Sequence, residues 1–400
     1  MSARRVAIAY DCLFPVNTGG GERVYRRMAE ELVGRGAHVT YVTRGQWPAS
    51  TPPSVPFDLV SVWRGEIHDD AGVRTTRSAV AFAFGLFRHF VRHRREVDLV
   101  VVAALPVLNV FAVRAALVGR PTVIAVDWLE VWPARKWRAY VGMVTGTIAA
   151  VLQWLAVRIG DIRLANSEFT RARLRSALPG ADPIVLGLLD LAGPPRAVAD
   201  RAALGADRSA ADPPVGPDAP YVAFVGRHIA DKRLDALPPA LAVARRAIPG
   251  LEARVVGTGP ETERVRAAAA TAGVADAVHF LGRVDDDDLD AVVAGAAALV
   301  NPSAREGFGL VVAEAAALGV PSVVVAGDDN ASVELVRPGV NGVVATDAAP
   351  ETLGAAIREV VEAGGELRRS TADWFARERA TRNLAGSVDE LLRRAERARR

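Results

Sequence analysis

The chain has 400 residues, of which 50% are hydrophobic and 24% are charged, and its length indicates two or three domains. Abundant apolar residues and mixed charge exclude a disordered polymer. The single cysteine, Cys12, excludes a disulfide scaffold and a cysteine-based zinc cluster, and it indicates a reducing compartment. A net charge of +3 is too small to indicate nucleic-acid binding by itself.

Basic residues are concentrated in the first half of the chain. Residues 1–190 carry 24 Lys and Arg against 16 Asp and Glu, a net charge of +8, whereas residues 191–400 carry 25 against 30, a net charge of −5. A basic first half would suit an anionic ligand or a membrane surface, and drift in surface charge between two related halves gives the same balance. Arg supplies nearly all of the positive charge, because Lys136 and Lys232 are the two lysines of the chain.

Strand-like and helix-length segments alternate through the first half. Short runs of Val, Ile and Leu predict parallel strands that are buried on both faces. The predicted strands are Val6–Tyr10, His38–Thr43, Asp58–Val62, Leu99–Ala103, Thr122–Val126 and Ile162–Asn166. Helices are predicted between them, including Glu22–Arg35 and Ala79–Arg95. The alternation predicts a doubly wound α/β domain over residues 1–190.

One uncharged segment of the first half, residues 139–157, approaches the roughly 20 residues that span a bilayer. Gly142, Gly146 and Gln153 lower its hydrophobicity, so a buried or interfacial helix is favoured over an inserted one. No signal-peptide core follows the arginines at the N-terminus. We therefore expect a cytoplasmic protein, either free or bound at the inner face of the membrane.

Residues 191–218 interrupt the alternation. Pro, Gly, Ala and Asp dominate this segment, which predicts an interdomain linker with a short helix at 197–204. A second α/β domain is predicted over residues 219–365, followed by helices over 366–400. Its predicted strands are Tyr221–Val225, Glu252–Val256, Val278–Leu281, Ala298–Asn301, Ser322–Val325 and Gly342–Ala345.

A glycine-rich turn follows the first predicted strand. Gly19, Gly20 and Gly21 open a helix whose N-terminus offers unpaired N–H groups and a partial positive charge. This arrangement favours an anion such as a phosphate, although a tight strand-to-helix turn uses the same residues. The spacing matches neither the dinucleotide fingerprint nor the P-loop.

Two cations follow the first strand of the second predicted domain. Arg227 and Lys232 come just after Gly226, between the end of a buried strand and the start of a helix. Such a pair would hold a diphosphate and stabilise the charge that develops as it leaves. The alternative is a charged helix start with Asp231 as the N-cap.

Two glutamates, Glu306 and Glu314, flank a short glycine-containing segment. Eight positions correspond to roughly two helical turns plus 80°, so the two side chains need not share one face. They suit two separate tasks, one on sugar hydroxyls and one on a nucleotide ribose. The nearby run Asp285–Asp288 is interpreted as the N-cap and first-turn acids of a helix, and no metal site is predicted.

The ordered set of these motifs resembles the family-four retaining glycosyltransferases of the GT-B fold. The segment PSAREGFGLVVAEAAALGVPSVV, which begins at Pro302, closely resembles the donor-binding signature of that family. The similarity extends over nearly the whole chain. It implies two Rossmann-like domains facing a central cleft, with the C-terminal helix crossing back to the first domain.

The resemblance also implies an activity. A sugar would move from a UDP- or GDP-linked donor to a hydroxyl of a lipid-linked saccharide or a small glycoside, with retention and without a metal or other cofactor. Arg227 and Lys232 would bind the diphosphate, Glu306 the sugar, and Glu314 the ribose. The other positions assigned to the donor are Gly19, Gly20, Gly21, Gly226, Gly282, Arg283, Val284, Phe308, Gly309 and Leu310.

The sequence departs from the family at two places. Leu129 stands where similar sequences often have His, which leaves Asp127 and Glu130 as candidates for that polar role. Near Gly327, the chain lacks the common Gly-Gly version, and the candidates for sugar contact there are the residues 329–331. A sugar-nucleotide epimerase or hydrolase and a non-catalytic sugar-nucleotide-binding protein therefore stay as alternatives.

The acceptor is left open by the sequence. The basic helix at 77–95 and the Trp-rich region 128–157 both resemble membrane-surface elements, which would suit a lipid-linked acceptor. If these helices only pack within the first domain, a soluble acceptor is expected instead.

Overall fold

The computed structural model describes residues 4–17, 19–48, 50–67, 75–194 and 219–399. Two compact units are present: Met1–Leu191 with Arg382–Arg400, and Ala192–Thr381. The short helix predicted at 197–204, and most of the predicted linker, lie outside the described residues.

The first unit is built on a parallel sheet of seven strands. The strands are β1 (Arg5–Ala9), β2 (His38–Arg44), β3 (Asp58–Trp63), β4 (Leu99–Ala103), β5 (Val123–Trp128), β6 (Ile162–Ala165) and β7 (Ile184–Val185). Their order across the sheet is β3-β2-β1-β4-β5-β6-β7. All six strands predicted for this half are present. β4 is buried at every position, as its continuous apolar run predicts for a strand covered on both faces.

Six helices of the first unit connect these strands. They are α1 (Gly20–Gly34), α2 (Thr76–His93), α3 (Leu108–Ala116), α4 (Ala134–Val141), α5 (Met143–Ala156) and α6 (Glu168–Ala177). Two of these helices begin with an N-cap side chain: Thr75 accepts from the Ser78 amide at 3.2 Å at α2, and Ser167 accepts from the Thr170 amide at 3.1 Å at α6.

The uncharged segment 139–157 forms a helical hairpin and not one long helix. Gly142, with φ +84°, separates α4 from α5. At Gly146 a Cβ atom would lie 2.5 Å from the carbonyl oxygen of Trp137, so only glycine allows the two helices to pack this closely. Among the described residues, no helix has the length and apolar content needed to cross a membrane.

The second unit contains a parallel sheet of six strands and a two-stranded ribbon. The strands are β8 (Tyr221–Val225), β9 (Glu252–Val256), β10 (Val278–Gly282), β11 (Ala298–Asn301), β12 (Arg305–Glu306), β13 (Ser322–Val325), β14 (Asp329–Asn330) and β15 (Gly342–Ala345). The large sheet has the order β10-β9-β8-β11-β13-β15, and β12 pairs with β14. The six strands predicted for this half are all present, and the ribbon is additional.

The helices of the second unit cover a core of small and branched apolar residues. They are α7 (Leu237–Ala244), α8 (Thr262–Thr271), α9 (Asp286–Gly295), α10 (Leu310–Ala317) and α11 (Pro350–Thr381). Asp285 caps α9 by accepting from the Asp288 amide at 2.9 Å, which confirms the predicted role of the acidic run. α11 is kinked at Gly364, whose φ is +55°.

The last helix, α12 (Leu384–Arg399), returns to the first unit, as the resemblance implies. Arg35, the C-cap of α1, donates to Asp389 at 2.6 Å, and Ser387 accepts from the Gly187 amide at 2.8 Å. The return was predicted to begin at residue 366, whereas in the structure it begins at residue 382. Residues before it stay with the second unit, because Arg368 donates to the carbonyl of Ala294 at 2.8 Å.

Candidate functional site

The strand order of the second unit reverses between β8 and β11. Open parallel sheets bind ligands outside the carboxyl ends of the strands at such a switch point. Lys232 follows β8 and Glu306 follows β11, so the two candidates come from the two loops that leave this point. The structure brings them together: the Lys232 ammonium donates to Glu306 Oε1.

The carboxylate of Glu306 is held on one of its two oxygens. Besides Lys232, Oε1 accepts from Asn301 Nδ2 at 3.2 Å and lies 3.0 Å from Ser303 Oγ. The side chains of Lys232 and Glu306 are 21% and 12% exposed, so the pair is accessible but largely desolvated. Among the described residues, every hydrogen bond found for this carboxylate goes to Oε1. Oε2 is therefore available to a ligand hydroxyl.

The segment that presents Glu306 is fixed from behind by Asn330. Asn330 is fully buried, and its amide nitrogen donates to the carbonyls of Ser303 at 3.1 Å and Val325 at 2.8 Å. Its amide oxygen accepts from the Ser332 amide at 3.1 Å and hydroxyl at 2.6 Å. Of the three candidates for sugar contact at 329–331, Asn330 therefore has no side-chain group left for a sugar, because burial and these four bonds use the side chain entirely.

The segment that presents Lys232 is tied to the same loop on both sides. Asp231 pairs with Arg305 at 2.7 Å, and the residue preceding the 3-10 turn at 230–232 is Ile229, so Asp231 is not the N-cap. Arg233 has φ +44° and donates to the carbonyls of Pro302 at 2.8 Å and Ser303 at 3.2 Å. A non-glycine residue in this conformation costs about 1 kcal/mol or more, which these two charge-assisted bonds offset.

Arg227 and Gly226 lie at the carboxyl end of β8 itself. Arg227 is exposed, and within the described part of the chain its guanidinium has no side-chain partner. Gly226 has φ +155°, and its carbonyl would lie 2.0 Å from a Cβ at Gly257. The glycines thus allow two strand ends to pass closely, and Arg227 is left facing solvent at the edge where Lys232 lies.

The remaining donor positions lie on the same edge of the second sheet. Glu314 is half-buried in α10, just over one turn from its start. Phe308 and Leu310 are half-buried at the N-terminus of α10. Gly282 ends β10 with φ +70°, and it is followed by the exposed Arg283 and the half-buried Val284. Their roles toward a donor stay predictions.

Gly309 is the N-cap of α10, with φ +93°. We expect Gly309→Ala to lower the free energy of unfolding by about 2–4 kcal/mol, because the new Cβ would lie 2.5 Å from the Cβ of Ser332 in a conformation that L residues avoid. Gly339→Ala is the matched control, since Gly339 has φ +74° and open space around it. Urea unfolding should give a loss of only about 1 kcal/mol for the control. Equal losses would contradict a clash with Ser332.

In the first unit the glycine turn lies near the end of β5. A Cβ at Gly21 would lie 3.1 Å from the Tyr10 hydroxyl and 3.8 Å from Leu129. Gly19 and Gly20 are exposed at the start of α1. A Cβ at Gly19 would lie 2.2 Å from a carboxylate oxygen of Glu22, so this carboxylate itself covers the helix N-terminus. Phosphate binding here stays a prediction, and it requires Glu22 to move.

Asp127 is not accessible to a substrate, which corrects its assignment as a catalytic residue. β5 continues to Trp128, two residues beyond the predicted end, so Asp127 lies within the sheet and is fully buried. The Tyr25 hydroxyl donates to its Oδ2 at 2.5 Å. Glu130 is half-buried beyond the strand and accepts from the Trp132 indole. Of the two candidates, Glu130 is the one that a substrate could reach.

Burial raises the pKa of Asp127 to about 6, and the Tyr25 hydrogen bond opposes that rise. The unfolded carboxyl ionises near pH 4, so stability falls as the pH rises from about 4 to 6, by about 3 kcal/mol for a shift of two units. We expect Asp127→Asn to lack this loss. We subtract the free energy of unfolding of the wild type from that of the variant at each pH. This difference should be about 2–3 kcal/mol more positive at pH 7.5 than at pH 4.

Chemical unfolding across this pH range measures the effect. Tyr25→Phe is the companion variant, because it removes the donor to Asp127 and should steepen the fall of stability with pH. Parallel pH profiles for wild type and Asp127→Asn would show that folding does not raise the pKa of Asp127.

Sequence reasoning missed three residues of the second-unit site: Asn301, Ser303 and Arg233. A partial signal existed for the first two, since polar residues at and just after the end of a buried strand lie at the ligand-binding edge. No local sequence pattern indicated that Arg233 would adopt positive φ.

Two family models match the chain. The model described as "Glycosyl transferases group 1" matches residues 207–373, and the "Glycosyl transferase 4-like domain" model matches residues 19–186. The first therefore spans the Lys232 and Glu306 loops, and the second spans the glycine turn and β5.

Curated relatives align over nearly the full length or over part of the chain. The chain is 27% identical to the GDP-mannose-dependent alpha-(1-6)-phosphatidylinositol monomannoside mannosyltransferase of Mycobacterium tuberculosis, over 95% of this chain and 96% of the relative. It is 36% identical to the D-inositol 3-phosphate glycosyltransferase of Actinosynnema mirum, over 46% of this chain and 45% of the relative.

Solved structures share the fold at low identity. Sucrose-phosphate synthase from Thermosynechococcus elongatus has a TM-score of 0.77 at 20% identity and covers 99% of this chain and 100% of its own. HepE from Anabaena, solved with UDP and glucose, has a TM-score of 0.68 at 17% identity, covering 98% of this chain and 100% of its own. These similarities concern the fold.

Proposed function

This chain is a glycosyltransferase of family four with the GT-B fold, and we propose that it moves a sugar from a UDP- or GDP-linked donor to an acceptor hydroxyl with retention of configuration. The observation that carries the proposal is the Lys232–Glu306 pair at the switch point of the second sheet. At one site, the cation can bind a phosphate and the carboxylate can accept from a sugar hydroxyl of the same ligand.

In the proposed donor complex, Lys232 exchanges Glu306 for the diphosphate. Arg227 adds a second cation, which in this chain is exposed at the same strand end. Glu306 keeps its contacts with Asn301 and Ser303 through Oε1 and turns Oε2 to the sugar. Glu314, on α10, accepts from the ribose hydroxyls. The two cations favour the charge that develops as the diphosphate leaves, which lowers the barrier to transfer.

The proposed reaction requires no protein nucleophile. The acceptor oxygen attacks the anomeric carbon from the face that the diphosphate occupies, while the bond from that carbon to the diphosphate oxygen breaks. The acceptor proton passes to the leaving phosphate oxygen, so charge and atoms balance. Water exclusion on donor binding would limit hydrolysis. The proposal requires no metal ion, because Lys232 and Arg227 supply the positive charge.

The names of the relatives guide the choice of substrates. GDP-mannose is the first donor to test because it is the donor named for the M. tuberculosis relative. For the acceptor, the names give one lipid-linked and one soluble inositol compound. We propose a hydroxyl of a lipid-linked saccharide or a small glycoside, with a location at the cytoplasmic side of the membrane for the lipid-linked case.

The proposal is tested by a thermal-shift screen followed by product analysis. UDP, GDP and their sugars are added to the full chain, and a true donor raises Tm with its concentration by mass action. Products are then analysed with and without an acceptor. Transfer only with the acceptor supports the proposal. Sugar release or epimerisation both with and without the acceptor would replace the transferase by the hydrolase or epimerase alternative. Nucleotide binding without any product would replace it by the binding-protein alternative.

A further inference from the structure

Exposed apolar side chains are concentrated on three helices of the first unit. Of fourteen large hydrophobic residues that the described part of the chain exposes, twelve lie on α2, α4 and α5, and the second unit contributes none. Val144 is 75% exposed, Met143 70% and Phe84 62%. The twelve are Val80, Phe84, Phe87, Val91, Tyr140, Val141, Met143, Val144, Ile148, Val151, Trp154 and Leu155.

These side chains form a continuous stripe on each of the two longer helices. On α2 the exposed residues 80, 84, 87 and 91 follow a spacing of four, three and four, which places them on one helix face. On α5 the exposed residues 144, 148, 151 and 155 follow the same spacing. α2 already buries Phe82, Leu86 and Phe90 in the core, so its exposed stripe is a second apolar face.

The helices that carry the two stripes share a neighbour. α3 contacts both α2 and α5. In the α4–α5 hairpin, the Gln153 amide donates to the Trp132 carbonyl at 2.7 Å and accepts from its amide at 3.0 Å and from the Trp137 indole at 3.1 Å. The exposed side chains of these helices are called the α2–α4–α5 face.

The charged residues on the helices that carry this face are basic, and acidic residues begin only at Glu96, Glu130 and Asp161. Residues 75–95 contain five Arg, and residues 131–160 contain three Arg and one Lys; neither range contains Asp or Glu. Arg158 stacks on Trp154 at 3.8 Å, which places a cation beside an exposed aromatic ring. An apolar stripe bordered by cations is complementary to a surface that is apolar inside and negative at its boundary.

We propose that the α2–α4–α5 face docks on the surface of a bilayer that contains anionic lipids. The stripes of α2 and α5 enter the headgroup region, and the flanking arginines bind lipid phosphates. The negative leaflet on the cytoplasmic side of a membrane has the required charge. A second copy of the chain is a poorer occupant, because two such faces would bring only cations together.

Vesicle sedimentation with the full-length protein tests this docking. Wild-type protein should sediment with vesicles of phosphatidylcholine plus phosphatidylglycerol, more weakly with phosphatidylcholine alone, and less as salt rises. Val144→Glu/Ile148→Glu should lower binding by about tenfold or more, because two carboxylates enter the apolar stripe. Ala270→Glu/Ala355→Glu adds the same charge at exposed helix positions of the second unit and should bind as wild type.

A second double variant distinguishes a loss of vesicle binding from a loss of folding. Arg88→Gln/Arg92→Gln removes two exposed cations of α2, and it should lower binding to the anionic vesicles while leaving the weaker binding to phosphatidylcholine unchanged. Circular dichroism checks the fold of each variant. Unchanged vesicle binding in both face variants would overturn the proposal. A dimer that Val144→Glu/Ile148→Glu dissociates, without vesicle binding, would assign the face to a second copy.

This docking is independent of the proposed transfer reaction. The readout is vesicle binding without donor or acceptor, so a chain that binds vesicles but transfers no sugar would refute only the proposed function. A chain that transfers sugar to a soluble acceptor but never binds vesicles would refute only the docking.

Discussion

Lys232→Met is expected to lower kcat by about 10²- to 10³-fold, or roughly 3–4 kcal/mol of transition-state stabilisation. Lys232 is the lysine that the structure places at the switch point, and its ammonium already contacts an anionic group there. In the proposed reaction this cation faces the phosphate oxygen as negative charge develops on it. Its removal therefore affects the transition state more than the donor ground state, and KM for the donor should change less than kcat.

Lys232→Arg separates charge from geometry. The guanidinium keeps the positive charge but is planar and longer, so partial activity is expected and not full recovery. Arg246→Met is the matched control, since Arg246 and Glu351 form an exposed pair at 3.1 Å in the same unit. Steady-state kinetics and the Tm of each variant measure the outcome. Full turnover in Lys232→Met, with Tm unchanged, would remove Lys232 from the reaction.

The sheets could be predicted from the sequence because their strands are buried on both faces. Such strands read as uninterrupted apolar runs, and the predicted bounds of β8 and β11 coincide with the structure. Loops that leave buried strands are then located as well, which is why the sequence predicts Lys232 just after the first strand of the second domain. The ribbon of β12 and β14 could not, because two-residue strands have no periodicity.

Side-chain burial at strand ends was the main source of error. The prediction ended β5 at Val126, which would have put Asp127 in a loop, whereas two more residues of strand enclose it. Similarly, Asn330 lies in a polar segment that reads as an open loop, and only the packed structure shows its four bonds. The start of the C-terminal return was misplaced because α11 continues through the predicted boundary. Tertiary contacts determine the burial of Asp127, the hydrogen bonds of Asn330 and the length of α11. The hydrophobic periodicity of the sequence carries no information about these contacts.

Glu306→Gln is expected to separate sugar transfer from nucleotide binding. The amide has the same shape as the carboxylate, and it can keep the contacts with Asn301 and Ser303. It loses the negative charge that holds Lys232 in the free protein. A nucleoside diphosphate then no longer competes with a carboxylate for this cation, so its Kd should stay the same or fall several-fold.

The rate of sugar transfer should fall in Glu306→Gln, although nucleotide affinity is kept or raised. With the amide oxygen kept on Asn301 and Ser303, the amide nitrogen faces the sugar and cannot accept from a hydroxyl as the carboxylate oxygen does. A hydrogen bond to a charged group contributes about 1.5–3 kcal/mol. We therefore expect kcat/KM for the donor sugar to fall by about 10- to 100-fold in Glu306→Gln. Calorimetry with GDP and UDP gives the first quantity, and initial rates of transfer give the second. Glu351→Gln is the control, because it neutralises an exposed carboxylate whose partner, Arg246, lies away from the switch point.

The two measurements together decide what Glu306 does. If it binds the transferred sugar, nucleotide affinity is kept or raised while transfer falls, and the ratio of the two distinguishes this variant from Lys232→Met, which should weaken both. If Glu306 only holds Lys232 in place, its loss frees the lysine to move, and nucleotide affinity and transfer should fall together. That parallel loss would contradict the assignment of Oε2 to a sugar hydroxyl, and it would leave Lys232 as the principal group of the site.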